Sequence, residues 1–201
     1  MPWQAALFVE EPGCDPDLRG LRRTDLGAGA WIDVLPEWVK GHEAVLQTLW
    51  TVTRWSAQRR RMYERVVDVP RLVATWPDDG AGHPLLPALG GALAARYGRP
   101  MSRVSLAAYR TGRDSVAFHS DRLGSARDDA IVAIVALGAR RRFLLRPVGG
   151  GPSRSFDLGA GDLLVMGGTC QRTWQHAVPK AAHAELRISV QFRSAPVAAA
   201  Y

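Results

Sequence analysis

The chain has 201 residues and a mass of 21.9 kDa, enough for one domain with a substantial hydrophobic core. Hydrophobic residues at 47% and charged residues at 22% exclude a disordered, collagen-like or disulfide-built chain. The net charge is +7, and 24 of the 26 basic residues are arginine, so nucleic acid is the first partner to consider, with a solvated arginine-rich surface as the competing reading.

The opening MPWQAALFVEEPG has a short apolar patch, an acidic pair and no basic leader, which predicts no secretory signal. The most nearly unbroken apolar run, Ala130 to Ala139, is well short of the ~18 residues a membrane span needs. The expectation is a cytoplasmic monomer that does not enter a membrane. Cys14 and Cys170 make neither a disulfide framework nor a zinc knuckle.

Residues 1–30, rich in Gly, Pro and charge, read as an irregular N-terminal arm. Val45, Leu46 and Leu49 recur at helical spacing and predict a helix over Gly41–Trp50. Five arginines (Arg54, Arg59, Arg60, Arg61 and Arg65) then lie among Trp55, Met62 and Tyr63. A second helix fits Pro84–Tyr97, with proline at its start and Gly98 at its end. Residues 31–100 are thus expected to form helical support and a lid-like region. Beyond residue 100 the pattern changes to short strands. Val104, Leu106 and Ala108 alternate, Ile131–Leu137 is a fully apolar run, Leu163–Met166 is another, and Ile188, Val190 and Phe192 alternate again. Residues 101–201 therefore read as the core of a mainly β protein, a sandwich or jelly roll with N-terminal helices in support. Gly149–Gly151 precedes a strand and reads as a turn rather than a phosphate cradle.

The residues that carry chemistry are His119-Ser120-Asp121 and, further on, His176. In an extended segment residues i and i+2 face the same way, so His119 and Asp121 can converge, and a later His would complete three ligands. Two imidazoles and one carboxylate form the facial set that suits Fe(II) oxygenases. A His-x-Asp triplet alone is weak, because five His and many Asp make a chance occurrence common. On the last strand, Arg187, Ser189, Gln191 and Arg193 share one face. The two arginines lie about 20 Å apart along an extended strand and can grip the ends of one small dicarboxylate. A solvated edge face is the competing reading.

At these positions the sequence resembles the AlkB-like Fe(II)/2-oxoglutarate-dependent dioxygenases. The resemblance runs from about Arg61 to Arg193 and rests on AYRTGRDSVAFHSD, IVAIVALGARRRFLLRP, GDLLVMGGTCQRTWQHAVPK and RISVQFR, with VPRL at Val69–Leu72 ahead of them. It implies a double-stranded β-helix (jelly-roll) core with His119, Asp121 and His176 as iron ligands. Arg187 and the Tyr109 hydroxyl would hold the far carboxylate of 2-oxoglutarate. Arg193 would lie near its metal-chelating end, and Ser189 stands where the best-known members carry Asn. The implied chemistry uses Fe(II), 2-oxoglutarate and O2 to hydroxylate an N-alkyl carbon, releasing succinate, CO2, an aldehyde and the restored base. Two positions depart from the pattern: Ala107 replaces an Asn that donates to the cosubstrate, and Leu123 replaces an acidic residue that reads the base edge. Losing a hydrogen bond to a charged group costs about 1.5–3 kcal/mol, which leaves a slow or degenerate member open.

A base within a duplex must be flipped or taken from single strands. Tyr63 and Trp76 are the candidate stacking platforms, with core packing as the competing reading, and Arg71 with Arg59, Arg60 and Arg61 are candidate phosphate contacts. Trp174 is expected to support His176, and Arg140–Arg142 read as a second basic cluster or a solvated turn. His42, His83 and His183 carry no signal. The expected function is dealkylation of N-alkylated bases in DNA. The alternatives are an oxygenase of the same fold acting on a small molecule or protein, and a catalytically weak nucleic-acid-binding member.

Overall fold

The computed structural model describes residues 10–62, 65–77, 82–101, 103–121 and 129–194, and for 58–62 and 65–69 the backbone alone. The described chain begins with β1 (Gly13–Cys14), β2 (Arg22–Gly27), β3 (Ala30–Leu35) and β4 (Val39–Lys40). Helix α1 (His42–Val52) leads into the hairpin of β5 (Ser56–Met62) and β6 (Arg65–Trp76), followed by helix α2 (Leu85–Tyr97). Strands β7 (Arg103–Tyr109), β8 (Val116–His119), β9 (Val132–Gly138), β10 (Arg141–Pro147), β11 (Arg154–Leu158) and β12 (Asp162–Gly168) come next. One helical turn, α3 (Cys170–Thr173), precedes β13 (Trp174–Val178) and β14 (Arg187–Arg193).

The strands form an eight-stranded sheet, ordered β2-β3-β12-β9-β14-β7-β6-β5, and a four-stranded sheet, ordered β11-β10-β13-β8, with β1 and β4 paired separately. The crossing order is that of a jelly roll. The alternation of each strand explains the packing. Val132, Ile134 and Ala136 of β9 join Phe143, Leu145 and Val178 of the small sheet in one core cluster. Ala133, Val135 and Leu137 of the same strand join Val45, Leu49, Leu86, Leu89 and Leu93 of the two helices in the other. Because β9 is covered on both faces, its sequence is an unbroken apolar run rather than an alternation.

The same period settles the reading of β14. Ile188, Val190 and Phe192 face the helices at 0% exposure, so Arg187, Ser189, Gln191 and Arg193 face between the sheets. The strand lies between β9 and β7, in the interior of the sheet and not at an edge.

Both helices form where the periodicity places them, within two residues. The described part of the N-terminal arm carries β2, which with the following β3 adds two strands to the large sheet. Its signal was hidden because β2 is an exposed edge strand with little apolar pattern, Arg-Arg-Thr-Asp-Leu-Gly. It is pinned by Arg23, whose Nε and Nη2 both donate to the buried Asp33 carboxylate at 2.7 Å. The segment expected as helical support and lid also contains the long β5–β6 hairpin, which extends the sheet beyond β7. The large sheet thus draws strands from all three expected segments, and the divisions at residues 30 and 100 do not follow the packing. Among the described residues, no helix is long and apolar enough to cross a membrane.

Helix α2 carries two adjacent glycines, Gly90 and Gly91, at its centre. A Cβ on Gly91 would meet nothing within 4 Å, so nothing in the packing requires glycine there. Gly91→Ala is expected to stabilise the protein by about 0.5–1 kcal/mol, read as a raised urea midpoint with an unchanged slope.

Candidate metal centre

His119 ends β8 and His176 lies directly opposite it on β13. Asp121 follows two residues after His119, where the chain leaves the sheet. Two side chains hold that exit: the Ser120 hydroxyl donates to the Trp174 carbonyl at 2.8 Å, and the buried Gln171 carbonyl oxygen accepts the Asp121 N–H at 2.9 Å. As a result, one donor atom from each of His119, Asp121 and His176 lies within 4.8 Å of the others, the one such group of three among the described residues.

The donor atoms are aimed by their neighbours. The His119 Nδ1–H donates to the Ala117 carbonyl at 2.9 Å, which leaves the Nε2 lone pair facing Asp121 Oδ1 at 4.0 Å. His176 Nε2 is 3.7 Å from the same oxygen, and Phe143 stacks on its ring at 5.5 Å. The other Asp121 oxygen, Oδ2, accepts from Arg193 Nε at 2.7 Å. Arg193 therefore occupies one carboxylate oxygen and leaves the other for a cation shared with the two imidazoles.

Burial pushes the His176 imidazole down to about 3, with the repulsion of His119, Arg193 and Arg71 adding to the effect against the pull of Asp121. Burial likewise lowers His119. For Asp121 burial acts upward, but Arg193 and the two histidines outweigh it and hold the carboxyl below its usual range. At neutral pH the site is thus two neutral imidazoles and one carboxylate. Borderline nitrogen with hard oxygen and no thiolate suits Fe(II).

These residues open on a cavity of about 350 Å³ between the sheets. Its floor is built in rows by strand register: Arg187 opposite Tyr109, Ser189 opposite Ala107, and Gln191 opposite Ser105. Arg187 is 1% exposed, and none of its three guanidinium nitrogens has a partner. Burial works against its charge; the Tyr109 ring is 5.3 Å away, and Asp162, whose charge favours the cation, is already bonded to Arg140. A buried cation without a counter-ion is costly, so the chemistry of this wall fits an anion such as a carboxylate of 2-oxoglutarate.

Other expectations fare differently. Arg193, expected beside the chelating end of a cosubstrate, donates to Asp121, Ser105 and Gln191, one bond from each of its three nitrogens. Arg71 lines the cavity, and its Nη1 lies 3.4 Å from Tyr109 Oη. Trp76 does not line this cavity. The alternation of β6 places it with Leu72 and Ala74, packed against the helix-side core. Tyr63 and Leu123 lie outside the described residues, as do the side chains of Arg59, Arg60 and Arg61. Trp174 is buried and serves His176's neighbourhood through its carbonyl. Arg141 is not part of a solvated turn. It is 3% exposed and donates to the carbonyls of Thr111, Asp114 and Pro179, tying together the loops at the cavity end. The sequence gives no sign that Arg141 is inside while its neighbour Arg142 is outside, except the strand period itself. Gln171 was missed because it lies in a turn with no pattern.

Arg193→Met is expected to weaken Fe(II) or Mn(II) affinity about 10- to 100-fold in anaerobic titration, and His119→Ala to abolish binding. Because burial holds His176 at about 3 and lowers His119 below 6.5, affinity at pH 6 should stay within about fourfold of that at pH 8. Two ordinary imidazoles would lose more than about tenfold over that range.

A model of the 2OG-Fe(II) oxygenase superfamily matches residues 42–193. Alpha-ketoglutarate-dependent dioxygenase alkB homolog 3 of Bos taurus and of Homo sapiens are each 31% identical over 153 residues, covering 71% of this chain and 51% of theirs. The chain spans about half the length of the curated relatives it matches. Among solved structures, that of OsALKBH1 superposes with a TM-score of 0.60 at 17% identity, covering 87% of this chain and 100% of that one. A prolyl hydroxylase from Trichoplax adhaerens, in complex with a hypoxia inducible factor peptide fragment, gives 0.58 at 12% identity over 82% and 83% of the two chains. These two likenesses speak to the fold alone. With the sequence motifs, the three-ligand group and the family match in agreement, the chain belongs to the 2OG-Fe(II) oxygenase superfamily as an AlkB-like member, a family whose cofactors are Fe(II), 2-oxoglutarate and O2.

Proposed function

We propose that this protein oxidatively removes N-linked alkyl groups from nucleic-acid bases, most readily from DNA. One observation carries the enzyme reading: three ligand side chains and a buried, unpartnered arginine open on the same cavity. The substrate reading is supported by the likeness to alkB homolog 3 and by the net charge of +7.

In this reading His119, Asp121 and His176 hold Fe(II). Bound iron, with 2-oxoglutarate and O2, supplies the oxidation that hydroxylates the alkyl carbon, while 2-oxoglutarate leaves as succinate and CO2. The hydroxyalkyl group then leaves the base as an aldehyde. Arg193 keeps Asp121 ionised and one-handed, Arg187 with Tyr109 takes the distal carboxylate, and Ser189 offers a hydroxyl midway along the floor. Phe143 and Val178 line the cavity beside His176 and limit water there.

A second reading has its own support. With Trp76 turned away, the aromatic side chains lining the cavity are Tyr109 and Phe143, both deep in the core, and no outer platform for a base stands among the described residues. An oxygenase acting on a peptide or small molecule would not need one.

The experiment is succinate and formaldehyde release from N-methylated single-stranded DNA, with Fe(II), 2-oxoglutarate and O2. Equal amounts of both products in wild type, and neither in His119→Ala, are expected. Arg187→Met should raise KM for 2-oxoglutarate about tenfold or more. Succinate without formaldehyde would move the protein to the second reading. Iron binding with no succinate at saturating cosubstrate would leave a nucleic-acid-binding member, which should keep its DNA affinity in His119→Ala and lose it steeply with salt.

A further inference from the structure

The cavity holds one more cation than these roles use. Its lining includes three guanidinium groups, those of Arg71, Arg187 and Arg193, and one carboxylate, that of Asp121. Arg193 and Asp121 satisfy each other. Arg71 and Arg187 remain.

Arg71 is on the cavity face because β6 alternates: Arg71, Val73 and Thr75 line the cavity, while Leu72 and Trp76 pack on the helix side. Strand register then places it. Leu72 of β6 is opposite Ala108 of β7, and Tyr109 of β7 is opposite Arg187 of β14. Arg71 and Arg187 therefore approach Tyr109 from the two neighbouring strands. Arg71 Nη1 makes one long hydrogen bond to Tyr109 Oη, at 3.4 Å, and its Nε is buried without a partner. Between these groups the floor is Val73 and Ala107, which offer no side-chain acceptor. Arg71 meets the Tyr109 hydroxyl and Arg187 its ring, so an anion lying between them would pair with both guanidinium groups. A carboxylate has two oxygens and about four acceptor sites, enough for the hydroxyl and three N–H groups of the two guanidiniums.

We propose that Arg71 is a cosubstrate-binding residue, which with Arg187 and Tyr109 forms a two-arginine clamp on the distal carboxylate of a dicarboxylic 2-oxo acid. This rests on the oxygenase reading above and reassigns Arg71 from the nucleic acid to the cosubstrate. The clamp makes the site selective for a dicarboxylate over a monocarboxylate that chelates the metal equally well.

The test is calorimetric binding to the Mn(II)-loaded protein of two probes: 2-oxoglutarate and 2-oxobutyrate, which has the same chelating group and no distal carboxylate. Arg71→Met should weaken 2-oxoglutarate about tenfold or more and leave 2-oxobutyrate within about twofold. Arg71→Lys, which keeps the charge and loses the fork, should fall between and reads the same ratio if Arg71→Met does not fold. Affinity for a single-stranded oligonucleotide should not change. An unchanged 2-oxoglutarate affinity overturns the proposal, and so does equal weakening of both probes, which would mean a packing or metal effect. A loss confined to the oligonucleotide would return Arg71 to phosphate contact. Failure of the wild-type protein to bind 2-oxoglutarate at all would instead contradict the oxygenase reading itself.

Discussion

Arg187 is buried to 1% exposure with no hydrogen-bond partner on any of its three nitrogens, and much of the surrounding structure makes sense as a way to keep it there. A guanidinium in an apolar interior loses its hydration, and folding alone gives nothing back unless a counter-ion arrives. The protein holds the group by strand geometry rather than by polar contacts. β14 is the interior strand of a sheet covered on both faces, and its apolar face, Ile188, Val190 and Phe192, anchors the strand against the helices. The opposite face is then forced toward the small sheet. The carboxylate that acts on Arg187, Asp162, is engaged by Arg140 and by the N–H groups of Glu37 and Gly159. What remains is a wall that fits an anion from outside.

The same strand governs the other end of the cavity. Arg193 divides the Asp121 carboxylate, taking Oδ2 and leaving Oδ1 near both imidazoles. One extended segment thus sets both the metal's carboxylate ligand and the anion wall. A strand is stiff along its length, so the spacing between the two ends is fixed by the fold and not by a loop. The ligands themselves come from the small sheet and its exit, where Ser120 and Gln171 fasten the chain. The candidate site is therefore a junction: Arg187, Ser189 and Arg193 on the large sheet, His119 and His176 on the small one.

How much of this was legible in the sequence depended on whether a residue's environment imposes a period. The run Ile131–Leu137 and the alternation of β14 showed strands because burial acts on every residue or on every second one. The three candidate ligands, which the fold brings together, were legible through type and spacing, with the family resemblance supplying the context that a triplet alone lacks. Strand β2 was not legible, because an exposed edge strand is free to be polar, and its tether, Arg23 to Asp33, spans ten residues without a motif. Residue type does not say which face of β6 a side chain takes: one step along the strand separates Arg71, on the cavity face, from Leu72, on the core face. Arg141 and Arg142 make the same point: adjacent arginines, one buried on three carbonyls and one exposed.

The central claim is that Arg187 waits for an anion, and stability measures it directly. In metal-loaded protein without 2-oxoglutarate, Arg187→Met should be at least as stable as wild type, because it replaces an unpaired buried charge with an apolar chain of similar length. Saturating 2-oxoglutarate should raise the wild-type unfolding midpoint strongly and that of Arg187→Met little, so the order of stability reverses. If Arg187→Met is less stable in the absence of 2-oxoglutarate and is stabilised by it as much as wild type, Arg187 is a structural residue and the account of this cavity is wrong.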